Sequence, residues 1–280
     1  MLDRRTSRIL REKVLPRVIL VIMCFIFILP FYWMVATALK TIDELRMLPP
    51  TLFPMTPRFY NFVEAVQFIP FLLFLRNSMT ILFFFVLGAI ISNTIIAYGF
   101  SRIQWRGRDA VFVIVIGTMF IPFPVVMVAL FDIFASLRLV NTFIPLTLPA
   151  YFGSAFWIFL MRQFMLTIPK EISDAGLIDG ANEFQIFSRL IFPLTKPVIA
   201  VVGIFAALAS WNDFLGPLIY LTNPRLYTLS IGIQFFRGQH NVEFSLLMAA
   251  SSLVVLPVVI IFLCFQRFFV EGITVGAVKG

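Results

Sequence analysis

Charged residues are scarce in this sequence, and histidine and cysteine are almost missing. Only 13% of the 280 residues are charged and 60% are apolar, which is far outside the range of a soluble globular domain. The one histidine, His240, cannot assemble a metal cluster, and we expect it in an external loop. Cys24 and Cys264 lie in apolar runs without metal-site or disulfide spacing, which favours small packing residues. The composition indicates a membrane protein.

Motifs for catalysis are missing as well. No Gly-x-x-x-x-Gly-Lys-Ser/Thr segment occurs, and the only lysine followed by Ser or Thr is Lys40, which has no glycines around it. No arrangement of paired acids, or of serine, histidine and acid, converges anywhere in the chain. The sequence therefore predicts no enzyme, no cofactor and no metal site, so that any ATP hydrolysis is expected in a separate protein.

Long apolar runs occupy most of the chain. Six windows approach the roughly 20 residues that a helix needs to cross a bilayer. They are residues 19–38, 77–98, 110–130, 143–160, 198–220 and 245–265. The short alternating strands of a membrane barrel are absent, and the first run is too long for a signal peptide. We predict an all-α membrane protein: a six-helix bundle over 19–265, an N-terminal segment 1–18 and a tail 266–280.

Lysine and arginine are unevenly divided between alternate gaps of this pattern. With a cytoplasmic N-terminus, the inner segments hold most of the 22 basic residues, as the positive-inside rule requires. The net charge of +8 therefore reflects topology, because no basic stripe with interleaved aromatics points to nucleic acid. We predict a multi-pass protein of the inner membrane with both termini in the cytoplasm, surrounded by membrane lipid.

The longest predicted cytoplasmic gap, residues 167–196, contains the signals of a helix and its end. Pro169 suits the first turn, and Glu171 and Asp174 complement the positive end of the helix. Gly180 suits a left-handed C-terminal stop. The pattern predicts one short helix that ends at a glycine.

A second short helix is predicted directly afterwards. Asn182 is a good N-cap, and Pro193 is expected to end the helix. Its apolar positions are Phe184, Phe187 and Ile191. The gap is thus expected to form a helix–turn–helix that lies along the membrane surface.

A small apolar patch is expected on the first of these helices, at Ile172, Ala175 and Gly176. A helix lying on lipid headgroups normally has basic residues beside its apolar face, whereas acids flank this patch. The acids favour a docking element that a soluble partner grips and moves. A surface helix on lipid is the alternative.

The residues of this gap resemble the EAA loop of ABC importer permeases, most closely the carbohydrate-uptake family that includes the smaller maltose-type permease subunit. The residues concerned are Glu171, Asp174, Ala175, Gly176, Ile178, Asp179, Gly180, Ala181, Leu190 and Pro193. Asp174 stands where the family has Glu, and Gly176 stands where it has a second Ala. The resemblance implies that residues 171–181 couple this chain to an ATP-hydrolysing subunit.

The resemblance extends over nearly the whole chain. Further matching segments are 77–78, 97–102, 211–218 and 265–280. It implies a permease of an ATP-driven importer, with a sugar or oligosaccharide as solute. The implied partners are a second permease in a heterodimer, an ABC ATPase dimer contacted also by the tail, and a periplasmic or lipid-anchored substrate-binding protein.

Asp213 is the acid expected within an apolar run, where ionisable residues usually face a bundle interior or an aqueous path. With Trp211 and Asn212 it is a candidate for the translocation pathway, and Asn93 is a weaker one. Alternatively, Asp213 caps a helix contact or lies at the outer interface, and Asn93 bonds a neighbouring helix. A self-sufficient secondary transporter or channel would need ion sites in the membrane, and an intramembrane enzyme would need convergent catalytic residues.

Overall fold

The computed structural model describes residues 13–237 and 243–277, with side chains up to Gln266. Regular structure in this part of the chain is helical, so the predicted all-α class is confirmed. His240 and most of the predicted 1–18 segment lie outside the described residues.

Four helical segments are long and apolar enough to cross a membrane, and two bent helix pairs raise the number to as many as six. The four are α1 (Leu15–Ala38), α4 (Phe71–Ser101), Ile144–Thr167 and Phe244–Gln266. The bent pairs are Arg108–Phe120 with Phe123–Ser136, at 98°, and Glu183–Leu194 with Lys196–Asn212, at 76°. The structure thus supports four to six spans.

The third and fifth predicted spans are interrupted. Between α5 (Arg108–Gly117) and α6 (Phe123–Ser136), Ile121 and Pro122 are extended. The geometry of Ile121 follows from Pro122, because proline disfavours helical geometry in the residue before it. The fifth span ends at Asn212 rather than at residue 220, and a short helix, Leu215–Tyr220, follows the extended Asp213.

The chain forms two compact units, of which the first comprises Met1–Phe71 and Ile233–Leu256. In it, α1 is followed by α2 (Ile42–Leu45) and α3 (Tyr60–Phe68). Asn61 is buried and donates hydrogen bonds to the carbonyls of Ala38, at 2.8 Å, and Lys40, at 2.9 Å. This amide joins α3 to the C-terminal end of α1.

The second unit comprises Leu72–Gly232 and Pro257–Gly280. Between α6 and α8 (Ala155–Thr167) lies the short helix α7 (Ile144–Thr147). The helices that hold the 167–196 segment are α9 (Glu171–Ile178), α10 (Glu183–Leu194) and α11 (Lys196–Asn212). The short helices α12 (Leu215–Tyr220) and α13 (Leu229–Gly232) follow, and the last is α14 (Phe244–Ala277), which begins in the first unit.

The predicted tail, residues 266–280, begins as helix, because α14 continues to Ala277. A glycine costs a helix only about 1 kcal/mol, and an established helix propagates. The expectation that the two cysteines are packing residues is wrong for this chain. Cys24 and Cys264 are free and exposed, so neither packs inside this chain.

Gly88 and Gly99 provide a matched test of packing around α4. A Cβ at Gly88 would lie 2.5 Å from the ring of Tyr151, whereas one at Gly99 would meet nothing within 4 Å. We expect Gly88→Val to be about 1–3 kcal/mol less stable than Gly99→Val, since overpacking costs this much. Thermal unfolding of the purified variants measures the difference, and equal stability would contradict this packing.

Candidate functional site

The first helix of the 167–196 loop, α9, ends in a Schellman motif. Gly180 has φ +79°, in the left-handed region that glycine tolerates best. The Gly180 N–H donates to the carbonyl of Leu177 at 3.0 Å, and the Ala181 N–H donates to that of Gly176 at 2.9 Å. The predicted stop at Gly180 is confirmed.

The second helix, α10, begins with a capping box. The side chain of Asn182 accepts from the Gln185 N–H at 2.9 Å, and the side chain of Gln185 accepts from the Asn182 N–H at the same distance. The predicted cap is therefore confirmed. Pro193 does not end the helix, which continues to Leu194 and bends at the buried Thr195.

The expected patch of Ile172, Ala175 and Gly176 is exposed only in part. Ala175 is exposed, whereas Gly176 is buried, and a Cβ there would lie 2.8 Å from Leu190 and 3.2 Å from Ile186. Ile172 packs against the core. Because Gly176 allows α9 to approach α10 closely, two of the three residues face inward, and the three do not form one exposed patch.

Another apolar surface is exposed where the two helices meet. Ile178 is 87% exposed, Phe184 75% and Leu177 52%. Asp179 and Glu183 lie beside them and are exposed as well. We call Leu177, Ile178 and Phe184 the loop tip. The sequence analysis placed Phe184 on one apolar helix face with Phe187 and Ile191, at spacings of three and four, whereas the structure exposes Phe184 and buries Ile191.

The inner face of α10 is packed into the helices before and after the loop. The middle of α10, Ile186–Ile191, is π-helical, and both of these isoleucines are buried. They belong to a core cluster with residues of α4, α8 and α11: Ala97, Tyr98, Met161, Met165, Val198 and Val202. The loop is therefore an extension of the helical core.

Tyr98, near the end of α4, makes the shortest polar link to α10. Its hydroxyl donates to the carboxylate of Glu183 at 2.7 Å, and its ring lies 5.0 Å from that of Phe187. Glu183 is adjacent to Phe184 of the loop tip. A hydrogen bond and a ring contact thus join the helix next to the loop tip to α4.

Arg102, just beyond α4, holds the start of the loop. Its Nη2 donates to the carbonyls of Met165 and Ile168, both at 2.6 Å, and its Nη1 donates to that of Pro169 at 3.3 Å. These carbonyls lie around the C-terminus of α8, where a cation is favourable. Sequence reasoning gave neither Tyr98 nor Arg102 a role, although both lie in the matching segment 97–102.

Asp213 lies in the break between α11 and α12 rather than inside a straight span. Its side chain accepts from the Gly216 N–H at 3.0 Å, and its carbonyl accepts from the Ser230 hydroxyl at 2.8 Å. It is also not the only acid in a candidate span, because α6 extends to Ser136 and includes Asp132.

The candidate residues Trp211, Asn212 and Asp213 line one cavity of about 210 Å³. The hydroxyl groups of this cavity belong to Ser78, Ser210, Thr228 and Ser230. The structure therefore brings these three candidates together around a cavity of mixed polar and apolar lining.

Asn93 does not line that cavity. It is fully buried, donates to the carbonyl of Ala89 at 2.6 Å and accepts from the Ser154 N–H at 2.8 Å, where α8 begins. Both ends of its amide are thus engaged between α4 and α8. This geometry favours the alternative role of pairing helices.

Within residues 13–237 and 243–277, no group of three His, Cys, Asp or Glu residues is arranged to hold a metal ion.

Comparisons with known proteins place the chain in a family. Residues 94–275 match the model of the binding-protein-dependent transport system inner membrane component. An arabinooligosaccharide transport permease of Halalkalibacterium halodurans is 36% identical, with 73% of each chain covered. A melibiose/raffinose/stachyose import permease of Bacillus subtilis is 32% identical, with 99% of this chain and all of the relative covered.

A solved structure shares the fold. It is a chain of a bacterial ABC transporter that imports the acidic polysaccharide alginate, with a TM-score of 0.82 at 21% identity, covering 96% of this chain and 99% of the other. The family match, the curated relatives and the helical architecture agree. The chain belongs to the family of inner membrane components of binding-protein-dependent transport systems, and it is a multi-pass permease.

Proposed function

We propose that this permease spans the membrane six times and imports a sugar or oligosaccharide, with ATP hydrolysis in a separate ABC ATPase. The observation that carries the coupling mechanism is the loop tip, an exposed apolar surface on helices that are packed into the core. The oligosaccharide permeases among the relatives support the solute class. Each bent helix pair counts as one span in this arrangement.

The proposed coupling element is α9 with the turn that follows it, residues 171–181, together with Phe184 of α10. An ATPase that binds the tip from below buries Leu177, Ile178 and Phe184, while Glu171, Asp174 and Asp179 stay at the rim of the contact. Closure of the ATPases then moves α10, and Tyr98 and Arg102 transmit the movement to α4 and α8. The result is alternating access of the bundle.

The position of the coupling loop also determines which side of the membrane the chain ends face in this proposal. The coupling loop and both termini face the cytoplasm, in agreement with the distribution of basic residues. Residues 1–18 and 266–280 flank the 19–265 bundle. We propose a heterodimer with a second permease, two ATPase subunits and an external substrate-binding protein, since the family is binding-protein-dependent.

The translocation pathway is proposed to pass the cavity at the α11–α12 break. Trp211 offers a ring for stacking on a sugar, and Asn212, Asp213 and the surrounding hydroxyls offer hydrogen bonds. At about 210 Å³, the cavity is smaller than the roughly 300–1,000 Å³ of ligand pockets. It therefore contacts one ring of the solute at a time, and the second permease completes the path.

Purification of the tagged chain from its native membrane in mild detergent tests the proposed assembly. We expect an ATPase with a Gly-x-x-x-x-Gly-Lys-Ser/Thr segment and a second permease to accompany it. Mass spectrometry identifies both. Recovery of the chain alone, from a preparation that still transports solute, would favour the secondary transporter instead.

Replacement of Gly180 tests the coupling turn. In Gly180→Val, a β-branched residue at φ +79° distorts the turn, and we expect uptake to be abolished with normal membrane insertion. Gly107→Val is the matched control, because Gly107 has φ +90° and open space around it but lies outside the loop. Uptake in vesicles and the amount of inserted protein are measured. A well-inserted Gly180→Val variant with normal uptake would contradict the proposal.

Replacement of Ile178 tests the docking surface. We expect Ile178→Glu to lose at least tenfold in ATPase affinity, because a charge buried in an apolar contact costs several kcal/mol. Ile178→Leu keeps the apolar surface and is expected to retain binding. Co-purification of the ATPase and uptake are compared for the two variants, and equal ATPase recovery would show that the tip is not the contact.

A further inference from the structure

Residues 47–57, between α2 and α3, form an exposed segment without a charged residue. The sequence is MLPPTLFPMTP, with Arg46 and Arg58 on either side. Leu48 is 89% exposed, Phe53 70% and Met55 65%. An exposed, uncharged and largely apolar surface marks an interaction site.

The segment folds back along the C-terminal end of α1 and contacts a residue within that helix. The Tyr32 hydroxyl donates to the carbonyl of Leu52 at 2.8 Å, and the rings of Tyr32 and Phe53 lie 5.7 Å apart. Tyr32 is six residues before the end of α1, hence about 9 Å below it at 1.5 Å per residue.

The length of α1 fixes where this depth lies. Its 24 residues span about 36 Å, which exceeds the hydrocarbon thickness of about 30 Å by about 6 Å. Even if the whole excess lies at this end, Tyr32 is at the hydrocarbon boundary or inside it. Tyr32 and Trp33 are also the residue types of the interfacial aromatic belt. Leu52 and Phe53 therefore lie at the boundary between the headgroups and the acyl chains.

Part of the backbone of the segment is satisfied by the chain itself. Pro49, Pro50, Pro54 and Pro57 have no N–H to satisfy. The Met55 N–H donates to the Glu44 carboxylate at 3.0 Å, and the carbonyls of Thr51 and Leu52 accept from Lys40 and Tyr32. The N–H groups of Leu48, Leu52 and Phe53 have no such bond within the described residues, so the segment suits the headgroup boundary, where water reaches the backbone, and not the hydrocarbon centre.

Two buried charged residues hold the segment in place. Lys40 is 2% exposed and its Nζ lies 4.7 Å from the centre of the Trp33 ring. Glu44 is 3% exposed and also accepts from the Thr51 hydroxyl at 2.6 Å. The hydrogen bonds of Lys40 and of Glu44 Oε1 to this segment offset part of the cost of burying the two charges, while Glu44 Oε2 has no partner within the described residues.

We propose that residues 47–57 form a membrane wedge, a loop inserted among the lipids beside the C-terminal end of α1. Phospholipid acyl chains cover Leu48, Leu52 and Phe53, and Arg46 and Arg58 lie at the headgroups. A soluble binding protein approaches from beyond the headgroups and does not reach the depth of Tyr32. The wedge anchors the start of α3, and this role is independent of the solute and of ATP.

Spin labels measure the environment of the wedge. The full chain, purified with its accompanying subunits and placed in phospholipid nanodiscs, carries one label at Leu48→Cys or Phe53→Cys, with Cys24 and Cys264 changed to alanine. Phe27→Cys, exposed in the middle of α1, is the lipid reference. Gln67→Cys, exposed on α3, is the water reference.

Collision with oxygen and with a water-soluble nickel chelate distinguishes the outcomes. We expect both wedge labels to collide strongly with oxygen and several-fold less with nickel than the label at residue 67, as at residue 27. Strong collision with nickel would place the segment in water and overturn the proposal. Weak collision with both reagents would show that another protein covers it, which also overturns the proposal.

Discussion

The burial of α10 between α4, α8 and α11 is the constraint on which the functional account depends. A helix pair on flexible connections could be gripped by a partner without moving the bundle. Here Ile186 and Ile191 are inside the core, and Gly176 lets α9 pack closely on α10. Because packed interiors transmit strain, the proposed mechanism requires that a force on the exposed tip displace the whole group of helices. The same packing leaves Leu177, Ile178 and Phe184 outside, available to a partner.

Polar side chains form hydrogen bonds with backbone groups at several helix ends of the structure. Arg102 covers the carbonyls at the end of α8, Asn93 covers the start of α8, and Asn61 covers the end of α1. Each acts where a helix ends, and there the helix leaves backbone groups without internal partners. In a membrane protein such groups find little water, so a few polar side chains fix the relative positions of the helices.

Local chemistry made much of the fold and part of the site predictable from sequence. Apolar runs predicted the helical class, and the signals at Gly180 and Asn182 predicted the turn, because each depends on residues close in sequence. The link from Tyr98 to Glu183 joins residues 85 apart, and no local pattern indicates it. The inward position of Gly176 and the break at Asp213 likewise depend on tertiary packing. Hydropathy alone also counted straight spans where prolines interrupt the helices.

Rigid movement of the loop with the core is the central claim, and a distance measurement tests it directly. Spin labels at Arg189→Cys on the exposed side of α10 and Leu166→Cys on the exposed side of α8, in the assembled transporter without Cys24 and Cys264, report the distance between the two helices. The account predicts the same distance distribution with and without bound ATP, while uptake remains ATP-dependent. A shift of the distribution on ATP binding would show that the loop moves independently of the core, which would contradict the account.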